Sequence, residues 1–170
     1  MCACASLRRS SRAVCHLYDL VLAPTGLKLT QFTLLYAIGE AKEIAHCDLA
    51  IHFVASEETF SRRLASARKA GWVSVQTGDR NRRIYSLTES GRELLHMATP
   101  YWERAQHRMR SELGDMDWGM LSEMAERITR AALRAESARS RNGTMHSLAA
   151  LRPSTSPAFA KEFASPAELL

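Results

Sequence analysis

Basic side chains are concentrated in one short part of this sequence, residues 59–83. Seven arginines and lysines stand there against a single acid, Asp79, so the segment carries a net charge of +6, whereas the whole 170-residue chain carries +5. The rest of the chain is therefore close to neutral. A local excess of positive charge is what a protein needs in order to neutralise the phosphates of a nucleic acid. The alternative is a solvated basic face that binds no ligand.

Local signals place these basic residues on a helix that is followed by a hairpin. Ser56 suits a helix N-cap, because its hydroxyl can accept a hydrogen bond from a free amide of the first turn. Gly71 ends the helix, since glycine readily adopts the left-handed cap conformation. The alternating stretches 72–76 and 84–87 predict two strands joined by an arginine-rich turn. A basic hairpin directly after a basic helix favours DNA binding over a solvated face.

Helical periodicity gives this helix two different faces. Phe60, Leu64 and Ala67 fall at helical spacing and predict a buried stripe. The opposite face is polar and basic, so its side chains are available to base edges in the major groove. The residues that we predict to contact DNA are Thr59, Ser61, Arg62, Arg63, Ser66 and Lys69 on the helix, and Arg80, Asn81, Arg82 and Arg83 on the hairpin.

Four segments of this region together resemble the MarR family of transcription regulators. They are 59–65 (TFSRRLA), 69–73 (KAGWV), 79–83 (DRNRR) and 87–91 (LTESG). These segments are similar to the recognition helix, wing and post-wing helix of that family, and the likeness extends over roughly residues 4–133. The resemblance implies a winged helix-turn-helix repressor that acts as a homodimer on a palindromic operator in double-stranded DNA.

The predicted wing departs from the family pattern at one position. MarR-like wings carry an aspartate and, two residues later, an arginine that enters the minor groove. Asp79 fits this pattern, but Asn81 stands where the arginine is expected. We therefore predict that Arg82 enters the groove and that Arg80 contacts a phosphate. The alternative is that the wing arginines contact phosphates only.

Further helices are predicted on both sides of the DNA-binding region. Their approximate ranges are a first helix ending near 23–26, a second at 29–39, a third at 43–53, a long one from 91 to 113, and a last one at 117–135. Pro100 is expected to kink the long helix, because proline lacks a backbone donor. The first helix and the last two have apolar seams too extensive for a lone winged helix. They predict a dimer interface that includes Trp118, Leu121 and Met124.

The sequence as a whole predicts a mainly α fold with a two-stranded β wing and flanking dimerisation helices. We expect residues 1–136 to form the winged-helix and dimerisation domain, and the polar residues 137–170 to form a mostly disordered tail. A run of about 18 apolar residues, as a membrane span requires, is absent from the sequence. The N-terminal residues lack the apolar core of a signal peptide, so a cytoplasmic location is expected.

Cysteine chemistry supplies an alternative within the same family. The context of Cys4 resembles the first helix of the organic-hydroperoxide sensors of the MarR family, in which a cysteine at this place is oxidised. Those sensors pair it with tyrosines, whereas Leu29 and Phe32 occupy the matching positions here and cannot hydrogen-bond a thiolate. A thiol without such support reacts more slowly. Cys15 and Cys47 lie on predicted helices and are interpreted as small core residues.

Other kinds of function leave fewer signs in the sequence. Cysteines and histidines lack the paired spacings of a structural zinc site, so no metal or cofactor is predicted. No nucleophile elbow or glycine-rich phosphate loop is present, so an enzyme is not expected. The family resemblance suggests a small aromatic effector, for which Leu29, Phe32 and Tyr36 would line a cleft; a filled core is the alternative. A winged-helix module that binds protein instead of DNA is a further alternative.

Overall fold

Six helices and three short strands make up the part of the chain that the structure, a computed structural model, describes. The described residues are 2–51, 53, 56–78 and 81–140. In chain order the elements are α1 (Ala3–Leu22), a 3-10 turn (Ala23–Thr25), α2 (Leu29–Ala41), β1 (Ile44–Ala45), α3 (His46–Ile51), α4 (Glu57–Lys69), β2 (Val73–Thr77), β3 (Arg83–Leu87), α5 (Glu89–Leu113) and α6 (Asp115–Ser140). Most of the predicted tail, residues 141–170, lies outside the described residues.

The strands form one antiparallel sheet with the order β1–β3–β2. β2 and β3 are the predicted hairpin, in register from Val73 opposite Leu87 onward. The prediction of a mainly helical winged helix-turn-helix with a two-stranded wing is confirmed, and a third strand, β1, pairs with the wing strand β3. Ile44, predicted to be helical, pairs with Tyr85 of β3. A two-residue strand has no periodicity of its own, so only this long-range pairing defines it.

The core forms where α2 and α4 pack with the sheet. α2 buries residues on most of its sides, as its nearly continuous apolar sequence predicts. The predicted stripe of α4, Phe60, Leu64 and Ala67, is buried in the same cluster, together with Tyr85 and Leu87 of β3. Burying a phenylalanine or leucine side chain contributes about 1.5–3 kcal/mol. The inner face of α4 therefore fixes the orientation of its outer face.

The two ends of α4 are held by specific hydrogen bonds. At the start, the Ser56 hydroxyl accepts the Thr59 amide at 3.3 Å, which confirms the predicted cap. At the end, Gly71 adopts φ +81°, and the hydroxyls of Thr88 and Ser90 donate to its carbonyl at 2.6 and 2.9 Å. A side chain at Gly91 would collide with the backbone carbonyl of Trp72, because its Cβ atom would lie 2.1 Å from that oxygen. The segment 87–91 thus joins α5 closely to the end of α4.

α1 packs against α5. Leu22 of α1 is completely buried, and the Tyr18 hydroxyl donates to the side-chain carbonyl of Gln106 on α5. Burial raises the pKa of Tyr18 to about 12, so the phenol stays a neutral donor. α5 continues through Pro100 as one helix. In the described residues, no helix combines the length and the apolar character that a membrane crossing needs.

α6 differs from every other long helix in the described part of the chain. Among its residues whose side chains are described, 115–135, none is buried. Large apolar side chains stand exposed on it, namely Met116, Met120, Leu121, Met124 and Ile128. The helix also continues to Ser140, past the predicted start of disorder at 137.

Candidate nucleic-acid interface

The residues of α4 that are predicted to contact DNA differ in their solvent exposure and in their partners within the protein. Lys69 and Ser66 are exposed, and Arg62 is exposed with its guanidinium bound to a carboxylate: Nη2 of Arg62 lies 2.9 Å from Oε1 of Glu58. The other three predicted contacts are half-buried: Thr59, Ser61 and Arg63. The Arg62–Glu58 pair is solvent-exposed, and such pairs contribute about 0–1 kcal/mol. DNA can therefore displace it at little cost.

A second glutamate at the start of α4 is held by the protein itself. Oε1 of Glu57 accepts hydrogen bonds from Nε2 of His46 at 2.7 Å and from the Ser61 hydroxyl at 2.9 Å. These bonds, the His46 bond first, hold the pKa of Glu57 below its usual value, and the nearby Arg83 adds to the effect. The imidazole packs against the Phe60 ring, with 5.3 Å between centroids. His46 thus connects the start of α3 to the first turn of α4.

The structure differs from the sequence prediction of this surface at Ser61 and at His46. The Ser61 hydroxyl, predicted to contact DNA, donates its hydrogen to Glu57 and keeps only its lone pairs for another partner. His46 has no signal in the sequence that assigns it this role. It acts through tertiary packing of α3 on α4, which a local pattern does not encode.

The wing turn explains the residue that stands at position 81. The Gly78 amide donates to the Arg82 carbonyl at 2.8 Å and closes the hairpin. Asn81 adopts φ +60°, in the left-handed region where asparagine is tolerated better than most side chains. An arginine at this position would be strained. Asp79 and Arg80, both part of the predicted wing contact, lie outside the described residues.

Arg82, the predicted groove residue, points back toward α3. Its Nη2 atom lies 3.4 Å from Sγ of Cys47 and 3.6 Å from Oδ2 of Asp48. All three residues are exposed, so the interpretation of Cys47 as a core residue is wrong. α3 begins at His46 and not at residue 43, and its buried residue is Leu49. The arginine is held loosely by an exposed thiol and an exposed carboxylate.

The basic residues near the ends of the wing and of α4 are also solvent-facing. Arg83 is exposed as the first residue of β3. Arg68 and Lys69, at the C-terminal end of α4, line an open groove with Ser74 of β2. Such exposed cations suit phosphate oxygens, which need charge more than fixed geometry.

Two residues of the predicted effector cleft, Phe32 and Tyr36, lie in an aromatic cluster with Trp102. Phe32 is 1% exposed, and its ring lies 5.9 Å from that of Tyr36 and 5.6 Å from that of Trp102 on α5. Leu29 is half-buried at the start of α2, where its amide donates to Asp19 at 2.7 Å. The structure therefore brings Phe32 and Tyr36 together, and adds Trp102 to them.

The cysteines near the N-terminus stand on the surface. Cys4 is exposed in the first turn of α1, and Cys2 is exposed immediately before that helix. Cys15, interpreted as a core residue, is half-buried. All four cysteines are free thiols in the described part of the chain.

A short helix, a recognition helix and an antiparallel hairpin in this order define a winged helix-turn-helix protein. Comparison with solved structures gives the family. MosR, a transcriptional regulator of M. tuberculosis solved in complex with DNA, aligns with a TM-score of 0.72 and 30% sequence identity, over 79% of this chain and 98% of that chain. The chain belongs to the MarR family of transcriptional regulators.

Two further structures share the fold at lower identity. A variant of MarR from E. coli, solved with operator DNA, aligns with a TM-score of 0.67 and 16% identity, over 73% of this chain and 91% of that chain. A MarR-family transcriptional regulator from a Rhodococcus species aligns with a TM-score of 0.61 and 20% identity, over 74% and 90%. Searches of family models and of curated protein sequences found no match.

Proposed function

We propose that this chain is a homodimeric repressor of transcription that binds a palindromic DNA operator. The observation that carries the proposal is the outer face of α4, where Arg62 and Lys69 are solvent-exposed above a fully packed inner face. Exposed arginines of the wing follow directly in the chain. MosR and MarR, whose structures share this fold, were solved with DNA bound.

The exposed face of α6 supports the homodimer. Met116, Met120, Met124 and Ile128 recur every four residues, and Met116 is 79% exposed. Soluble monomers rarely expose a continuous apolar stripe of this kind. A second copy of the chain can cover it through a twofold interface, which sets two recognition helices about one turn of DNA apart.

Each predicted contact has a distinct role in this proposal. Arg62 reads a base in the major groove, since arginine pairs with the O6 and N7 atoms of guanine. Lys69 and Arg83 neutralise phosphates. Arg82 leaves Asp48 and enters an A·T-rich minor groove, whose narrow width enhances its negative potential. Arg80 contacts a phosphate.

Selection of binding sites from genomic DNA with the purified protein tests the proposal. Enrichment of one symmetric sequence, with an affinity that falls steeply as salt rises, is the expected result. No enriched sequence would contradict it, and would favour a winged-helix module that binds protein.

The wing assignment has its own test. Arg82→Ala should weaken binding more on operators with A·T flanks than on those with G·C flanks. Arg80→Ala should weaken both alike and lower the salt slope by about one. Titrations of the two variants on both operators, over a range of salt, distinguish these roles. Equal losses on both flanks for Arg82→Ala would make it a backbone contact.

We also propose release by a small aromatic ligand, supported by the cluster of Phe32, Tyr36 and Trp102. Such a ligand must bind the DNA-incompetent arrangement more tightly, because equal affinity shifts nothing. Screening phenolic acids for loss of operator binding tests this. If none acts, while peroxide releases DNA from wild type but not from Cys4→Ser, the thiol-based alternative replaces it; the exposure of Cys4 favours that second candidate.

A further inference from the structure

Two adjacent glutamates at the start of α4 have different environments. Glu57 accepts two hydrogen bonds from within the protein, from His46 and Ser61. The side chain of Glu58 is 85% exposed, and its hydrogen-bond partner is Arg62, the predicted base contact. Glu57 is thus bound to another element, through His46 of α3, as well as to Ser61, whereas Glu58 is bound to Arg62 on the outer face of its own helix.

Helical geometry places Glu58 near the centre of that surface. With 3.6 residues per turn, Glu58 lies about 40° from Arg62 around the helix axis. Phe60 and Leu64 point into the core, and the direction opposite to them on the helix is the centre of the outer face. Glu58 lies closer to this centre than Thr59 does. The predicted contacts on this face are its basic and neutral polar residues, and Glu58 is the acid that stands among them.

The helix dipole alone does not account for a carboxylate at this position. An acid in the first turn is favourable, but Glu57 already supplies one on a side turned toward the protein. A carboxylate on the outer face approaches the phosphates of DNA and is repelled by them. Its charge must be compensated there by a bound donor, which is Arg62 in this structure and can be a donor on the DNA when Arg62 turns to a base.

The major groove offers one such donor that has no acceptor beside it on the same base. Cytosine presents its N4 amino group, from which glutamate accepts a hydrogen bond, whereas adenine presents an amino group next to the N7 acceptor. The lone pair of N7 repels a carboxylate. Cytosine is therefore the base that the Glu58 side chain matches.

We propose that Glu58 determines operator specificity by accepting a hydrogen bond from the amino group of a cytosine near the guanine read by Arg62. The proposal rests on the DNA-binding function proposed above. Residues four apart on a helix are separated by about 6 Å along its axis, and successive base pairs by about 3.4 Å. The two bases therefore lie within about two base pairs of each other.

The ion pair seen without DNA fits this role. Arg62 and Glu58 satisfy each other at 2.9 Å while the surface faces water. When the helix enters the groove, each exchanges its partner for a base edge, and the net charge presented to DNA does not change. An exposed pair of this kind is weak enough to be opened by the exchange.

Binding-site selection with wild type, Glu58→Ala and Glu58→Gln tests the proposal, with Glu57→Gln as the matched control on the adjacent residue. Wild type should select cytosine at one position of each half-site, by about tenfold over other bases. Glu58→Ala should lose that preference while it keeps the guanine preference of Arg62. Glu58→Gln should select adenine instead, because an amide both donates and accepts. Glu57→Gln should keep the wild-type preference.

Three results would overturn it. In the first, Glu58→Ala melts like wild type and selects the same bases at every position. In the second, Glu58→Ala loses only the guanine preference, so that Glu58 merely orients Arg62. In the third, Glu57→Gln loses the cytosine preference as well. If wild type itself selects no sequence, the proposed function fails, and this inference fails with it; an unchanged selection by Glu58→Ala removes the inference alone.

Discussion

The winged part of the molecule and α6 differ in whether a single chain covers their apolar side chains. In the winged part, which we take as β1, α3, α4, β2 and β3, the inner residues of α4 are closed off by the chain's own core; Phe60 is 1% exposed. On α6, Met116 is 79% exposed and no described side chain is buried. The inner surface of the first region is thus covered by this chain's own residues, including those of α2. The second has a surface that a partner must complete.

The strongest test of the packing in the winged part is the removal of the Phe60 side chain. Phe60→Ala should lower the free energy of unfolding by about 3–5 kcal/mol, because it leaves a cavity between α4 and the sheet. Arg68→Ala, an exposed change on the same helix, should shift it by no more than about 0.5 kcal/mol. Denaturant titration of both variants measures the difference. A small effect of Phe60→Ala would mean that the core tolerates its loss.

Substitutions on the exposed apolar face of α6 should instead disrupt the dimer. The double variant Leu121→Asp with Met124→Asp should give a monomer of about 19 kDa at micromolar concentration and lose about 100-fold or more in operator affinity, since two half-sites are no longer bound together. Ser122→Asp is the control, because it adds an aspartate on the side of α6 opposite the apolar residues and should leave the dimer intact. Light scattering and titration of operator DNA measure both quantities. A dimeric double variant would place the interface elsewhere.

The outer face of α4 can be altered without touching either region's packing. Arg62→Ala should weaken operator binding by about 1–3 kcal/mol and relax the sequence preference at one base pair. Lys69→Ala on the same face should weaken binding to all sequences alike and reduce the salt slope by about one. Unchanged affinity of a folded Arg62→Ala variant would remove Arg62 from the site.

The smallest expected effect concerns the His46–Glu57 contact. Because its folded pKa lies below the usual 4.5, Glu57 stabilises the native state above that pH, and the contribution disappears as the pH falls through the folded value. The carboxylate is 69% exposed, so the contribution is at most about 0.5 kcal/mol. Glu57→Gln should therefore lose less stability than wild type between about pH 5 and 3. Denaturant titration of both proteins at several pH values measures this difference. An equal loss of stability in both proteins at acid pH would show that the contact has no such effect.

The features that the sequence predicts correctly are those set by local rules. The Ser56 cap, the stripe beginning at Phe60 and the hairpin each depend on a few neighbouring residues, and the structure contains all three. The Arg62–Glu58 pair also follows a local rule, the four-residue spacing of a helix, and was open to prediction. The contacts predicted from the sequence nevertheless include only the basic and neutral polar residues of this surface.

The features that the sequence does not predict depend on distant contacts. β1 is defined by its pairing with β3, about forty residues later, and its presence delays the start of α3 to His46. That shift turns Cys47 outward, next to Arg82 of the wing. The positive φ of Asn81 depends on how the turn closes. None of these leaves a periodic signal in the sequence.

The central claim is that two copies of this chain bind one symmetric operator together. Its most direct test is sedimentation of the purified protein with a duplex that carries the selected operator, and with the same duplex after one half-site is scrambled. Two chains should bind the intact duplex, and the affinity for the scrambled duplex should be about 100-fold lower. One chain per intact duplex, or equal affinity for both duplexes, would contradict it.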